Sequence, residues 1–182
     1  MVNKLPKIIT QDEFEQIFKY TLKQKKRKPY AVAMLLGFEA GMRISEIVGL
    51  KSLISPDLSA NIPALTKSNV DMQSNQIRIM GKGQKDRIVP LPKRFNNAAL
   101  NLLPLKMSRR SLQRWVTNIG EKVLGKHITF HTLRHGFGSH LAGMGVPLHQ
   151  VQMLMGHSRL DTTGIYLHAN PKEAIERARD VF

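Results

Sequence analysis

Residues 30–40, YAVAMLLGFEA, are apolar on every side of a helical projection, with Glu39 as the lone charge. A helix with no polar face has nothing to offer water, so other elements must enclose it. A chain carrying such a segment is built around it. Pro29 stands at its entrance, where a fixed φ and a missing N–H suit a first helical turn. Gly41 breaks it. The enclosing faces can be found by spacing. Gln11 to Leu22 reads as a helix burying Phe14, Ile17 and Phe18, opened by a capping box of Thr10 and Glu13. Ser108 to about Leu124 reads as another, with Leu112, Trp115, Val116, Ile119 and Val123 inward and Gly125 as its stop. Trp115 reads as core.

Between these helices the period changes. Gln76 to Met80 and Arg87 to Leu91 alternate polar and apolar residues around Gly81-Lys82-Gly83-Gln84-Lys85-Asp86, which predicts a hairpin with a lysine-bearing tip. The glycines let backbone and lysine approach a ligand, although an exposed hairpin tip also tolerates lysine for no special reason. Their spacing is not that of a nucleotide-binding P-loop. Lys51 to Ala64 reads as a loop, Leu65 to Met72 as a short extended piece, and Pro92 to Leu103 as helical after its proline.

Charge narrows the partner. Among 182 residues, 28 are Lys or Arg and 13 are Asp or Glu, a formal net charge of +15 that favours a polyanion such as nucleic acid. Arg109, Arg110, Arg114 and Lys122 could line a DNA-facing side of the Ser108 helix, and a solvated helix face explains them equally well. The run Lys23 to Lys28 poses the same choice. The chain has no cysteine, which excludes disulfides and thiolate zinc sites. No apolar run is long enough to span a bilayer and no signal-peptide core is present, so a cytoplasmic protein without a membrane partner is expected.

The chemistry concentrates between Thr129 and Tyr166. Helices are expected over 130–144, 147–155 and 162–167, with a last one from Pro171 to the end. His131 and Arg134, three apart, share a helix face. His157 sits in a Gly-His-Ser turn after Val151, Leu154 and Met155, and Tyr166 follows. His131 and His135 have the spacing of a helical zinc pair, but Thr132 stands where a metalloprotease carries its glutamate and no third ligand is placed by spacing. VPLHQVQMLMGHSRLDTTGIYLHA also has the look of a helix-turn-helix, a DNA-binding module without cleavage activity. Phosphoryl transfer through a tyrosine uses more of the chain. It needs a nucleophile, guanidinium groups on the non-bridging oxygens, and a lysine or histidine for protons. Arg43 follows the buried helix directly, where a cation needs a partner, and Glu46 is placed to be one. Taken alone, those two residues read as a structural ion pair rather than as a catalytic group.

GMRISEIVGL, IRIMGKGQKDRIVPL, HTLRHGFGSHL and LMGHSRLDTTGIYLH, in this order, resemble the catalytic domain of tyrosine recombinases, the phage integrase family, and look most similar to its Xer-like and archaeal integrase branch. The resemblance runs from about Leu5 to about Pro171. It implies a mainly α fold with a small antiparallel β-sheet (α+β), residues 1–182 forming one catalytic domain. It implies that Arg43 and Arg134 clamp the scissile phosphate of double-stranded DNA. By the same resemblance Lys82 protonates the leaving 5′ oxygen, His131 assists proton transfer at the tyrosine, and His157 hydrogen-bonds the phosphate. Tyr166 becomes the nucleophile that forms a 3′-phosphotyrosyl bond, and Glu46 orients the site. Lys85 joins the DNA-binding candidates; His135 and His140 are given structural roles. Strand exchange then proceeds through a Holliday junction, with no metal and no cofactor implied. The family acts as a tetramer on paired DNA sites, and the segment 171–182 could dock on a neighbouring protomer.

Three features depart from the family pattern. Its N-terminal core-binding domain is not represented in these 182 residues, as expected of an excised domain or a minimal integrase. Lys51 to Ala64 reads as an insertion. Gly136 and Gly138 stand where relatives carry small side chains, with an expected loosening of up to about 1 kcal/mol per glycine.

Overall fold

The computed structural model describes residues 8–50, 61–80 and 86–156. Helix α1 (Gln11–Leu22) opens on the expected capping box: Thr10 Oγ1 accepts from the Glu13 backbone N–H at 3.2 Å, and Glu13 Oε2 accepts from the Thr10 N–H at 3.1 Å. Phe14 and Ile17 on its inner face are wholly buried, each stabilising by about 1.5–3 kcal/mol. A single 3₁₀ turn (Lys25–Arg27) leads into α2 (Lys28–Glu39), with Pro29 in its first turn and every residue from Ala31 to Phe38 buried. α2 is enclosed by α1, by α5 (Arg109–Ile119) and by α6 (Phe130–Gly143), as its composition requires.

The chain then turns through α3 (Ile44–Val48). Its exit is fixed by a bridge between Leu50 and Ile62, with N–H to O distances of 2.8 and 2.9 Å. The sheet is antiparallel, in the order β1 (Val70–Asp71), β2 (Gln76–Met80), β3 (Asp86–Pro90). Ile77 and Ile79 face inward opposite Val89 and Arg87. Arg78 reaches Asp86 on the adjacent strand at 2.7 Å, holding the hairpin where residues 81–85 leave it.

Two expectations are corrected. Leu65 to Met72 is not extended throughout, because Asn69 Oδ1 accepts from the Thr66 N–H at 2.9 Å and winds Lys67–Asn69 into a 3₁₀ turn before β1. The helix after Pro92 shrinks to α4 (Asn97–Leu100). There Pro92 and Phe95 close a turn at 2.8 Å, and Asn96 starts the helix by accepting from the Ala99 N–H at 3.0 Å. α5 continues to Leu124 as expected, but through a wider π turn from Gly120.

α6 starts where Thr129 and Thr132 cap one another at 3.1 Å and Gln113 of α5 accepts from the Phe130 N–H at 3.1 Å. Gly136 does not loosen this helix against its neighbour. A Cβ there would lie 2.6 Å from the Phe38 ring and 3.0 Å from Ile9, so glycine is what lets α6 close on α2. Finally α7 (Leu148–Met155) folds back on α6 and against β3, burying Val151 and Met155 with Phe137 in a small second core. Among the described residues, no helix is long and apolar enough to cross a membrane.

Candidate active site

The end of α2 sets up the first candidate. Gly41 adopts φ +62°, which a side chain resists, and the Phe137 ring occupies the space a Cβ would need. The resulting turn makes Arg43 the residue that caps α3, with Glu46 in the first helical turn. Glu46 Oε2 accepts from the Arg43 backbone N–H at 2.6 Å, and Oε1 accepts from Arg43 Nη1 at 2.9 Å. The ion pair expected from spacing is present, yet the Arg43 side chain remains 40% exposed while that of Glu46 is 1% exposed. Pairing therefore orients the guanidinium without hiding it.

Glu46 has a second cation that the spacing does not reveal. Arg87 on β3 grips the same carboxylate with both prongs, Nη1 to Oε1 at 2.6 Å and Nη2 to Oε2 at 2.8 Å. Burial pushes the Glu46 carboxyl up, but Arg87 and then Arg43 outweigh it and hold it below the ordinary value. A signal does exist in the sequence: alternation puts Arg87 on the same face as Val89, and an inward arginine needs a carboxylate. Which carboxylate, 41 residues away, is not legible there.

Arg134 on α6 is buried, 2% exposed. Its Nη1 donates to the Gly41 carbonyl at 2.5 Å, and its Nη2 donates to the Met155 carbonyl. Arg87 Nε donates to the Leu154 carbonyl at 3.0 Å, and Arg43 Nη2 to the Gly156 carbonyl at 2.9 Å. Three consecutive carbonyls at the end of α7 thus receive three arginines from α6, β3 and the start of α3. Among the described residues no backbone N–H meets these carbonyls, and they lie at the negative end of the helix dipole, so they suit guanidinium groups.

His131, one turn before Arg134, is exposed. Desolvation of its ring, then the charges of Arg134 and Arg43, hold its pKa below the ordinary value, so the imidazole is neutral near pH 7 and able to accept a proton. His135 meets it edge-on, with ring centroids 4.2 Å apart. Burial, His131 and Arg134 push the His135 pKa down to about 4. Among the described residues, no third histidine or carboxylate joins this pair into a metal-binding group. His140 is exposed in the last turn of α6. Lys82, Lys85, His157 and Tyr166 lie outside the described residues, as do the helices expected over 162–167 and from Pro171.

On α5, Arg109, Arg110 and Arg114 are exposed, and among the described residues no carboxylate forms an ion pair with them. Arg109 and Arg110 open the helix, where the dipole disfavours cations. Lys122 instead lies over the Tyr20 ring, 5.5 Å from its centre. Trp115 is only partly buried: its indole N–H donates to Thr21 at 3.3 Å, and Arg27 stacks on its outer face at 4.6 Å. One member of the basic run is therefore spent on packing.

Residues 59–173 match the profile of the phage integrase family. The chain belongs to that family. It is 32% identical over 181 residues to tyrosine recombinase XerA of Thermococcus kodakarensis, covering 89% of this chain and 58% of that protein. A tyrosine recombinase of Thermosipho africanus is 30% identical over 196 residues, covering 97% of this chain and 62% of that one. The chain thus spans somewhat over half the length of these relatives. The crystal structure of XerA recombinase superposes with a TM-score of 0.69 at 21% identity, over 97% of this chain and 65% of that one. XerH site-specific recombinase bound to palindromic difH substrate, a post-cleavage complex, gives 0.72 at 24% identity, over 97% and 53%. The integrase-family fold is the mainly α fold with a small antiparallel sheet that the sequence motifs imply. In this chain, α3, α6 and β3 all converge on the end of α7.

Proposed function

We propose that this chain is the catalytic domain of a site-specific DNA recombinase that cuts and rejoins double-stranded DNA through Tyr166. The observation that carries the reading is the convergence of Arg43 and Arg134 on adjacent carbonyls, immediately before His157 in sequence, with His131 one turn from Arg134 on α6. In the proposed reaction Tyr166 Oη attacks the scissile phosphorus and its proton passes to His131. Arg43 and Arg134 hold the non-bridging oxygens, with a hydrogen bond from His157. The bond from phosphorus to the 5′ oxygen breaks, and Lys82 supplies the proton that oxygen takes. The product is a 3′-phosphotyrosyl bond and a free 5′-hydroxyl. Attack by the 5′-hydroxyl of another strand reverses the step, and two rounds form and resolve a Holliday junction. The phosphoester energy is conserved, so no nucleotide or other cofactor enters the balance.

DNA as partner is supported by the charge of +15 and by the solved XerH complex with its difH substrate. The exposed arginines of α5, with Lys85, supply sequence-independent attraction. Relatives of greater length support a core-binding domain as the partner of this one in the working enzyme. We place the assembly on DNA as a tetramer in the cytoplasm, with residues 171–182 docking between protomers.

A nicked suicide duplex mixed with the protein tests the chemistry. A denaturation-resistant protein–DNA adduct is expected, absent in Tyr166→Phe while DNA binding persists. Binding without any adduct, even with a core-binding domain supplied, would return the chain to the binding-only helix-turn-helix alternative.

A further inference from the structure

Arg87 has no part in the reaction as written, yet it is among the most constrained side chains of the site. Its side chain is 9% exposed. Three of its N–H groups are committed, two to the Glu46 carboxylate and one to the Leu154 carbonyl. It also defines the space beside Gly156, where φ is +61° and a Cβ would stand 2.9 Å from Arg87 Cδ. Glu46 in turn holds Arg43 by backbone and side chain, and Arg43 holds the Gly156 carbonyl. These bonds form a closed circuit: β3 to α3, α3 to the end of α7, and the end of α7 back to β3. Two points of the circuit lie next in sequence to segments that carry proposed catalytic residues. In sequence, β3 begins four residues after Lys82, and Gly156 directly precedes His157.

We infer that Arg87 is a positioning residue: through Glu46 it aims the Arg43 guanidinium, and through Leu154 it fixes the turn from which the segment bearing His157 and Tyr166 departs. The inference rests on the reading of Arg43 as a phosphate clamp. A planar fork is required because the two Glu46 oxygens and the Leu154 carbonyl are met by three N–H groups held in one plane. Lysine keeps the charge but cannot span both acceptors.

The test compares wild type, Arg87→Lys, and the double variant Arg87→Met with Glu46→Gln, which removes both charges and leaves no unpaired carboxylate inside. Each is assayed by single-turnover cleavage of a nicked suicide duplex, by DNA affinity, and by the NMR signals of the Arg43 guanidinium. The expected result is a cleavage rate lower by about 10²-fold in both variants, as for an ångström-scale misplacement. DNA affinity should stay within about twofold, since the exposed arginines that attract DNA are untouched. The slowly rotating guanidinium of Arg43 in wild type should give averaged signals in both variants. Folded variants that cleave at the wild-type rate overturn the inference. Loss of affinity in step with rate also overturns it, because Arg87 would then serve binding. If wild type itself forms no adduct even with a core-binding domain supplied, the cleavage reading fails instead. The Arg43 signals then decide alone: unchanged signals in Arg87→Lys overturn the positioning role, and averaged signals support it.

Discussion

The arginines at the end of α7 and those on α5 are the same residue put to opposite uses. At α7, Arg43, Arg87 and Arg134 each donate to a named carbonyl, and two of them also grip one buried carboxylate. On α5, Arg109, Arg110 and Arg114 stand in solvent. A fixed guanidinium can meet developing charge without reorganising, which is where electrostatic catalysis gains most. A solvated one contributes long-range attraction that salt screens within about 8–10 Å. The difference teaches that charge count locates a partner, whereas the partners of each charge locate the chemistry.

The sharpest test of this contrast removes one fixed arginine. Arg43→Ala and Arg134→Ala should each slow adduct formation by about 10²–10³-fold. The two should differ in stability. Arg134→Ala leaves the Gly41 and Met155 carbonyls short of a buried donor, an expected loss of about 1–3 kcal/mol. Arg43→Ala leaves Glu46 still held by Arg87, and its loss should stay under about 1 kcal/mol. Urea unfolding measures both, and equal losses would dissolve the distinction between a buried arginine and an accessible one.

Acid should weaken the surroundings of His135 and Glu46 and spare α5. His135 has a folded pKa of about 4 against an ordinary 6.5, so its contribution is fully present above pH 6.5 and is lost as pH falls toward 4. With solvent screening of the partly exposed ring taken off, the loss is on the order of 2 kcal/mol. Glu46, held below the ordinary 4.5, adds a second loss beneath that value. Thermal melts between pH 7 and 4 should therefore fall in wild type and fall less in His135→Gln. Parallel curves would remove His135 from the account.

The surface arginines should respond only in binding. Replacing Arg109, Arg110 and Arg114 together by Ala should weaken DNA affinity and flatten the salt dependence by up to about 0.9 for each phosphate no longer neutralised. The cleavage rate at saturating DNA should not change; a fall there would mean that α5 reaches the chemistry. The smallest effect expected is a gain: Arg109→Ala removes a cation from a helix start and should stabilise by about 0.3–1 kcal/mol, read by the same urea titration.

Much of the fold is legible in the sequence because it is written in local patterns. The capping box at Thr10 and Glu13, the enclosed helix from Pro29, the hairpin pairing and the stop at Gly125 are decided by residues close in sequence. The helix after Pro92 is shorter than its sequence suggests because Asn96, not Pro92, caps it. Gly136 runs against expectation for a different reason. Helix propensity counts the glycine as a loss, and only the Phe38 ring against it shows that the missing Cβ makes room for close packing. The same limit applies to the site. Arg43, Glu46, His131 and Arg134 can be singled out by type and order, and the Arg43–Glu46 pair by spacing.

The sequence by itself determined the residue types, the charge that calls for a polyanion, and the family to which the chain belongs. Only the tertiary structure decided which groups meet. It brought Arg87 to Glu46 across 41 residues and set three arginines on three successive carbonyls at the end of α7. Local patterns are read within a few residues because helices and strands repeat over that range. A buried charge takes its partner from whatever the packing brings near, and no repeat in the chain encodes that distance.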